Sequence, residues 1–166
     1  MGRTFQPNAG GRDRRPDAPP APRPTLEEIR KIIVDGDVQL LVDWADKIGQ
    51  ELAHERLSTN QIRNVFGTVR QIQLRWSRPG DATETQSFRD AMLLIPKLGY
   101  FAEREVQARH GQGMKALQVT LEPALRLVGE RGEPHHDRFI RFAEFFEAIV
   151  AYHKKYDRNQ GDPRWP

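Results

Sequence analysis

From Thr25 to Tyr156 the apolar residues recur every three or four positions, and nowhere do they fall into the two-residue alternation of a strand. A chain patterned this way buries its apolar surface only by packing helices on helices. The expected fold is therefore all-α, a compact bundle of about five to six helices.

Local signals divide the pattern. Thr25-Leu26-Glu27-Glu28 is a capping-box sequence, a hydroxyl followed three residues later by a glutamate, and opens a short helix to about Val34. Asp35-Gly36-Asp37 breaks it. Val38, Leu41, Val42, Ala45 and Ile48 then mark a second helix to about Glu55. Ser58 or Thr59 caps a third, which runs to about Trp76, and Pro79-Gly80-Asp81 forms a loop. A fourth helix starts near Thr85, with Phe88, Met92, Ile95, Tyr100 and Val106 as its expected core face and a kink expected at Pro96. The fifth spans about Met114 to Val128, with a second possible kink at Pro123. The last runs from His136 to about Tyr156 with Phe139, Phe142, Phe145, Phe146, Ile149 and Tyr152.

The first 24 residues are of another kind. Rich in Gly, Pro, Arg and Asp, they carry too little apolar surface to offset the entropy of ordering, so residues 1–24 read as a disordered basic tail. The helical domain is expected over residues 25–158 and a short C-terminal tail over 159–166. Arg3, Arg12, Arg14, Arg15 and Arg23 face only Asp13 and Asp17, so the tail holds the whole of the chain's net charge of +3 and the body is neutral. Nucleic-acid affinity in that body must come from local segregation of charge. With no cysteine there is no disulfide, thiolate metal site or thiol nucleophile. No signal-like segment and no run of about 20 uncharged apolar residues is present, which points to a cytoplasmic protein.

Charge is segregated in one place. From Arg56 to Arg78 there are five arginines and no acidic residue. At about 100° per residue, Ile62, Val65, Phe66, Val69, Ile72 and Trp76 form one apolar stripe, while Arg56, Arg63, Arg70 and Arg78 fall on a separate face. Arg56, Arg63 and Arg70 are spaced by two turns, about 10.5 Å. Gly67 keeps the surface low between two of them. A row of guanidiniums with no aromatic residue on the same face suits the phosphates of an RNA strand rather than its bases. A helix-turn-helix DNA-binding regulator is the alternative, but its base-reading side chains would cluster at the start of the recognition helix.

Three blocks carry a resemblance. Leu57-Ser58-Thr59-Asn60-Gln61-Ile62-Arg63-Asn64 is similar to a Leu-Thr-Thr-Ser-x-Ile-Arg signature, and Lys97-Leu98-Gly99-Tyr100-Phe101-Ala102-Glu103-Arg104 to Lys-x-x-Tyr-x-x-Gly-Arg. Phe142-Ala143-Glu144-Phe145-Phe146-Glu147-Ala148-Ile149-Val150-Ala151-Tyr152-His153-Lys154 is similar to Phe-x-x-x-x-Glu-Ala-x-Val-Ala-Tyr. In this order they resemble the small subunit of type III-A CRISPR effector complexes, the Csm interference complex. The resemblance implies a non-catalytic helical subunit without cofactor, active in antiviral defence. Its implied partners are the guide (crRNA) and target RNA, the backbone and large subunits, and neighbouring copies of itself. It places Arg63 on the signature arginine and Lys97 and Arg104 on the basic positions of the second block. With Arg56, Arg70 and Arg78 these make the expected RNA-binding set. Glu103 departs from the family glycine, and the arginine-rich tail matches no family feature.

Other motifs lead elsewhere. His136-Asp137 spells the dipeptide of metal-dependent phosphohydrolases but lacks the histidines and aspartate that would complete a metal site. Glu144 and Glu147, three residues apart on an amphipathic helix, read as a solvated edge or as partners for Arg141 and Lys154. No Walker loop, dinucleotide fingerprint or nucleophile elbow occurs.

Overall fold

Capping decides where the helices begin. In the computed structural model, which describes residues 21–157, α1 (Leu26–Arg30) starts where the Thr25 hydroxyl accepts from the Glu28 N–H at 3.2 Å and the Glu28 carboxylate accepts from the Thr25 N–H at 2.8 Å. The chain continues as a wider π-turn over Lys31–Asp35 and stops at Gly36, whose φ of 75° suits a residue without Cβ. Asp37 caps α2 (Val38–His54) by accepting from the Leu40 N–H. Ser58 and Gln61 form a second capping box for α3 (Thr59–Arg75). Then come α4 (Glu84–Gln107), α5 (Gly113–Val128), a single 3₁₀ turn and α6 (His136–Tyr156). All are helices, as the periodicity predicts, and no strand occurs among the described residues. The N-terminal tail as far as residue 20 and the C-terminal tail from 159 lie outside the described residues.

The core is built on α6. Phe139, Phe142, Phe145, Phe146 and Ile149 are fully buried, and α6 packs against α2, α3, α5 and the Lys31–Asp35 turn. Burying each such side chain stabilises the fold by about 1.5–3 kcal/mol. α2 approaches α6 closely because Gly49 has no side chain: a Cβ there would lie 2.5 Å from the Tyr152 Cβ. Trp76, at the end of α3, is fully buried, stacked on Phe139 with Phe88 and His136 at its edges. α4 lies outermost, against α5 and α3.

The buried face of α4 differs from the one expected. Ala91, Leu94, Leu98 and Ala102, with Ser87, are buried; Phe88, Met92 and Ile95 only flank the core, Val106 is half-buried and Tyr100 is exposed. Small residues let α4 lie close to its neighbours, so the larger side chains sit to either side of the contact line. Pro96 and Pro123 both lie inside continuous helices, each leaving the carbonyl one turn earlier without its helical donor.

Arg23, assigned to the tail on composition, reaches the bundle. Its guanidinium pairs with Glu51 of α2 at 2.7 Å and donates to the Ala116 carbonyl of α5 at 3.1 Å. Burial raises the Glu51 carboxyl above its ordinary value against the opposing pull of Arg23.

Candidate nucleic-acid interface

The stripe that buries α3 also orients its arginines. Ile62, Val65, Val69, Ile72 and Trp76 point inward. Arg63 and Arg70, about 100° and 80° from Ile62, are therefore carried outward, and both are exposed. Arg70 donates to the Gln73 side chain one turn on, at 2.6 Å. Arg63 has no hydrogen bond or ion pair among the described residues. Gly67 has open space around it, and Leu74, on the same face, is 74% exposed.

Arg56 and Arg78 are not on this helix, so the projection that joined four arginines holds for Arg63 and Arg70 alone. Arg56 ends α2 in a left-handed conformation, φ 60°. The Arg56 and Leu57 N–H groups bond back to the Ala53 and Leu52 carbonyls, the pattern that usually takes glycine. Arg78 lies two residues beyond Trp76, which caps the C-terminus of α3, and sits exposed in the turn to α4. Arg75, the fifth arginine, pairs with Asp90 of α4 at 3.0 Å.

The two carboxylates at the turn between α3 and α4 are occupied. Asp81 accepts from the backbone N–H groups of Ser77, Arg78 and Thr83 and from the Thr83 hydroxyl. That hydroxyl is the main reason its carboxyl is pulled down to about 2. Glu84 accepts from the Trp76 indole N–H at 3.1 Å and the Gly80 N–H at 2.9 Å. Both carboxylates thus order the turn that carries Arg78.

Two grooves border α3. On the α6 side, Arg63 shares a groove with Thr59, Phe66, Glu147, Val150, Lys154 and Lys155. Lys155 lies over the rings of Tyr152 and Tyr156. Sequence reasoning missed these two lysines as neighbours of Arg63, because only the α3–α6 packing brings them together. On the α4 side, a groove of about 270 Å³ is lined by Asn64, Thr68, Lys97, Leu98 and Phe101, among others. Lys97 and Arg104 stand exposed on α4 with no ion pair or hydrogen bond among the described residues. The expected RNA-binding residues therefore occupy two flanks of α3 and its ends rather than one continuous row.

The remaining motifs have structural partners. His136 donates from Nε2 to the Trp76 carbonyl at 2.8 Å, closing the end of α3. Arg141 pairs with Asp137 and donates to the Val34 carbonyl at 2.7 Å, so it braces the first helical segment rather than Glu144. Among the described residues no group of three or more histidine or acidic side chains is placed to hold a metal, and no helix is long and apolar enough to cross a membrane.

Comparison with known proteins adds one match. The family model described as Csm2 Type III-A matches residues 35–159, which is most of the chain. No curated protein and no solved structure matches.

Proposed function

The chain belongs to the Csm2 Type III-A family, the small subunit of the Csm complex, and from that premise we propose that it is a non-catalytic RNA-binding subunit of the cytoplasmic type III-A interference complex. In this reading it lies along the duplex of guide (crRNA) and target RNA, beside the backbone and large subunits and further copies of itself. It grips phosphates and leaves sequence to base pairing.

The carrying observation is the exposed face of α3, where Arg63 has no protein partner among the described residues and no acidic residue occurs from Arg56 to Arg78. A solvated helix face of ordinary kind pairs its arginines with glutamates one turn away; here that option is absent from the sequence. Arg56 supports the same reading. A non-glycine residue in the left-handed region costs about 1–2 kcal/mol, and a position that favours glycine yet holds arginine keeps a cation at the edge of the α3 surface. Lys97 and Arg104 extend the contact onto α4.

The test is co-expression with the other complex subunits and a guide RNA carrying 4-thiouridine, followed by photocrosslinking. The expected crosslinked peptides cover Arg56–Arg78 and Lys97–Arg104. A chain that enters the particle yet gives no crosslink there is held by protein contacts alone, and the RNA role is then wrong.

A further inference from the structure

Two large aromatic rings stand on the outside of α4. Tyr100 is 63% exposed and Phe101 41%, between Lys97 and Arg104. Their placement follows from the helix phase. Ala91, Leu94, Leu98 and Ala102 take the inward face, and Leu93, Lys97, Tyr100, Phe101 and Arg104 then share the outward one, within about 60° of Lys97. The rings lie 5.8 Å apart at 58°, so they do not cover one another's faces. No other ring and no cation from the described residues lies against either. Two carboxylates of this stretch have polar neighbours: Glu103 accepts from the Gln107 amide at 3.1 Å, and Glu105, which lines the groove beside Phe101, lies 2.9 Å from the His110 ring nitrogen.

We infer that the outer face of α4 is a base-stacking platform on which Tyr100 and Phe101 take unpaired nucleobases of an RNA strand whose phosphates are held by Lys97 and Arg104. This rests on the RNA-binding reading and adds to it the state of the RNA: the bases that meet this face are splayed out of any duplex. The chemistry is specific to such a ligand. Aromatic rings flanked by cations match the alternation of base and phosphate in a single strand. A paired strand hides its base faces, and an acidic peptide offers no flat apolar surface for two rings. The groove beside Phe101 adds the Asn64 amide, a donor and acceptor for a base edge. Stacking tolerates any base, so the platform adds affinity without sequence preference.

The experiment uses the full chain and two probes of equal length and charge, an oligoadenylate and an abasic ribose-phosphate chain, each titrated at fixed salt by fluorescence anisotropy. The parent is expected to bind the oligoadenylate at least about fivefold more tightly than the abasic chain. Tyr100→Ala with Phe101→Ala should remove that preference while keeping the salt dependence and the helical circular dichroism. Phe101→Tyr should preserve the preference. Arg63→Ala with Arg70→Ala should weaken both probes and leave their ratio unchanged, which separates phosphate gripping from stacking. Equal binding of the two probes by the parent, with salt dependence intact, overturns the platform and leaves the RNA reading standing. A parent that binds neither probe overturns both. An alanine pair that keeps the preference but no longer joins the particle assigns the face to a protein neighbour and overturns the platform too.

Discussion

Glu130 shows how single residues hold the N-terminal helix to the rest. Its carboxylate takes both guanidinium N–H groups of Arg30, at 2.9 and 3.2 Å, and one from Arg138 at 2.7 Å. These bonds, with Arg30 first, pull the carboxyl from 4.5 down to about 2. A carboxyl with a lowered value in the folded state stabilises the fold above its unfolded value and loses that contribution as protons bind. The stabilisation from Glu130 is therefore full above pH 4.5 and fades as pH falls toward about 2. Glu130→Gln should melt earlier at pH 7 and lose less on acidification through that window, as thermal melts at a series of pH values would read. A melting profile identical to the parent's would mean that the three-residue cluster contributes nothing. The cluster is not legible in the sequence: Arg30 lies 100 residues from Glu130, and only the packing of α1 beside the α5–α6 turn brings it to Glu130 and Arg138. His136 is the converse case. The sequence shows no further ligands to complete a metal site around it, and the structure gives it a partner in the Trp76 carbonyl.

α3 was legible as an element because its period is clean. Five of its apolar positions are β-branched or aromatic, one capping box marks its start, and no proline or acidic residue interrupts it. The same method failed on α4, where the contact line is made of alanines and leucines and the eye is drawn to Phe88, Met92 and Tyr100. It failed also at the ends of α3, since a helical projection carries Arg56 and Arg78 onto a face that the chain has already left. Two glycines offer a paired test. Gly67→Ala meets open space in the middle of α3 and should raise stability by about 0.8–1 kcal/mol through helix propensity. Gly49→Ala places a Cβ 2.7 Å from the His153 backbone nitrogen, forces α2 from α6, and should lower stability by about 1–3 kcal/mol. Denaturant titration of both variants decides it; equal effects would mean that the α2–α6 crossing is not set by Gly49. Arg56→Gly should relieve the left-handed strain, raising stability by up to about 1 kcal/mol, and at the same time weaken RNA binding. A gain in stability with unchanged RNA affinity would remove Arg56 from the interface.

At the scale of the whole molecule, α6 forms the core and α3 the surface, and Trp76 ties one to the other. Trp76→Ala removes the ring stacked on Phe139 and should cost about 3–5 kcal/mol, a large part of the stability of a domain this size. The fold is thus expected to tolerate loss of its outward arginines far better than loss of the one tryptophan beneath them. That difference makes the central claim testable, because phosphate contacts can be deleted without touching the core. The decisive measurement is the affinity for single-stranded RNA as a function of salt, for the parent and for Arg63→Ala with Arg70→Ala, alongside the melting temperature of each. The predicted result is a steep fall of affinity with salt in the parent and a logarithmic slope shallower by about 1.4 in the double variant, with melting unchanged. Parallel slopes at equal affinity would contradict it and reduce the arginine face of α3 to a solvated surface.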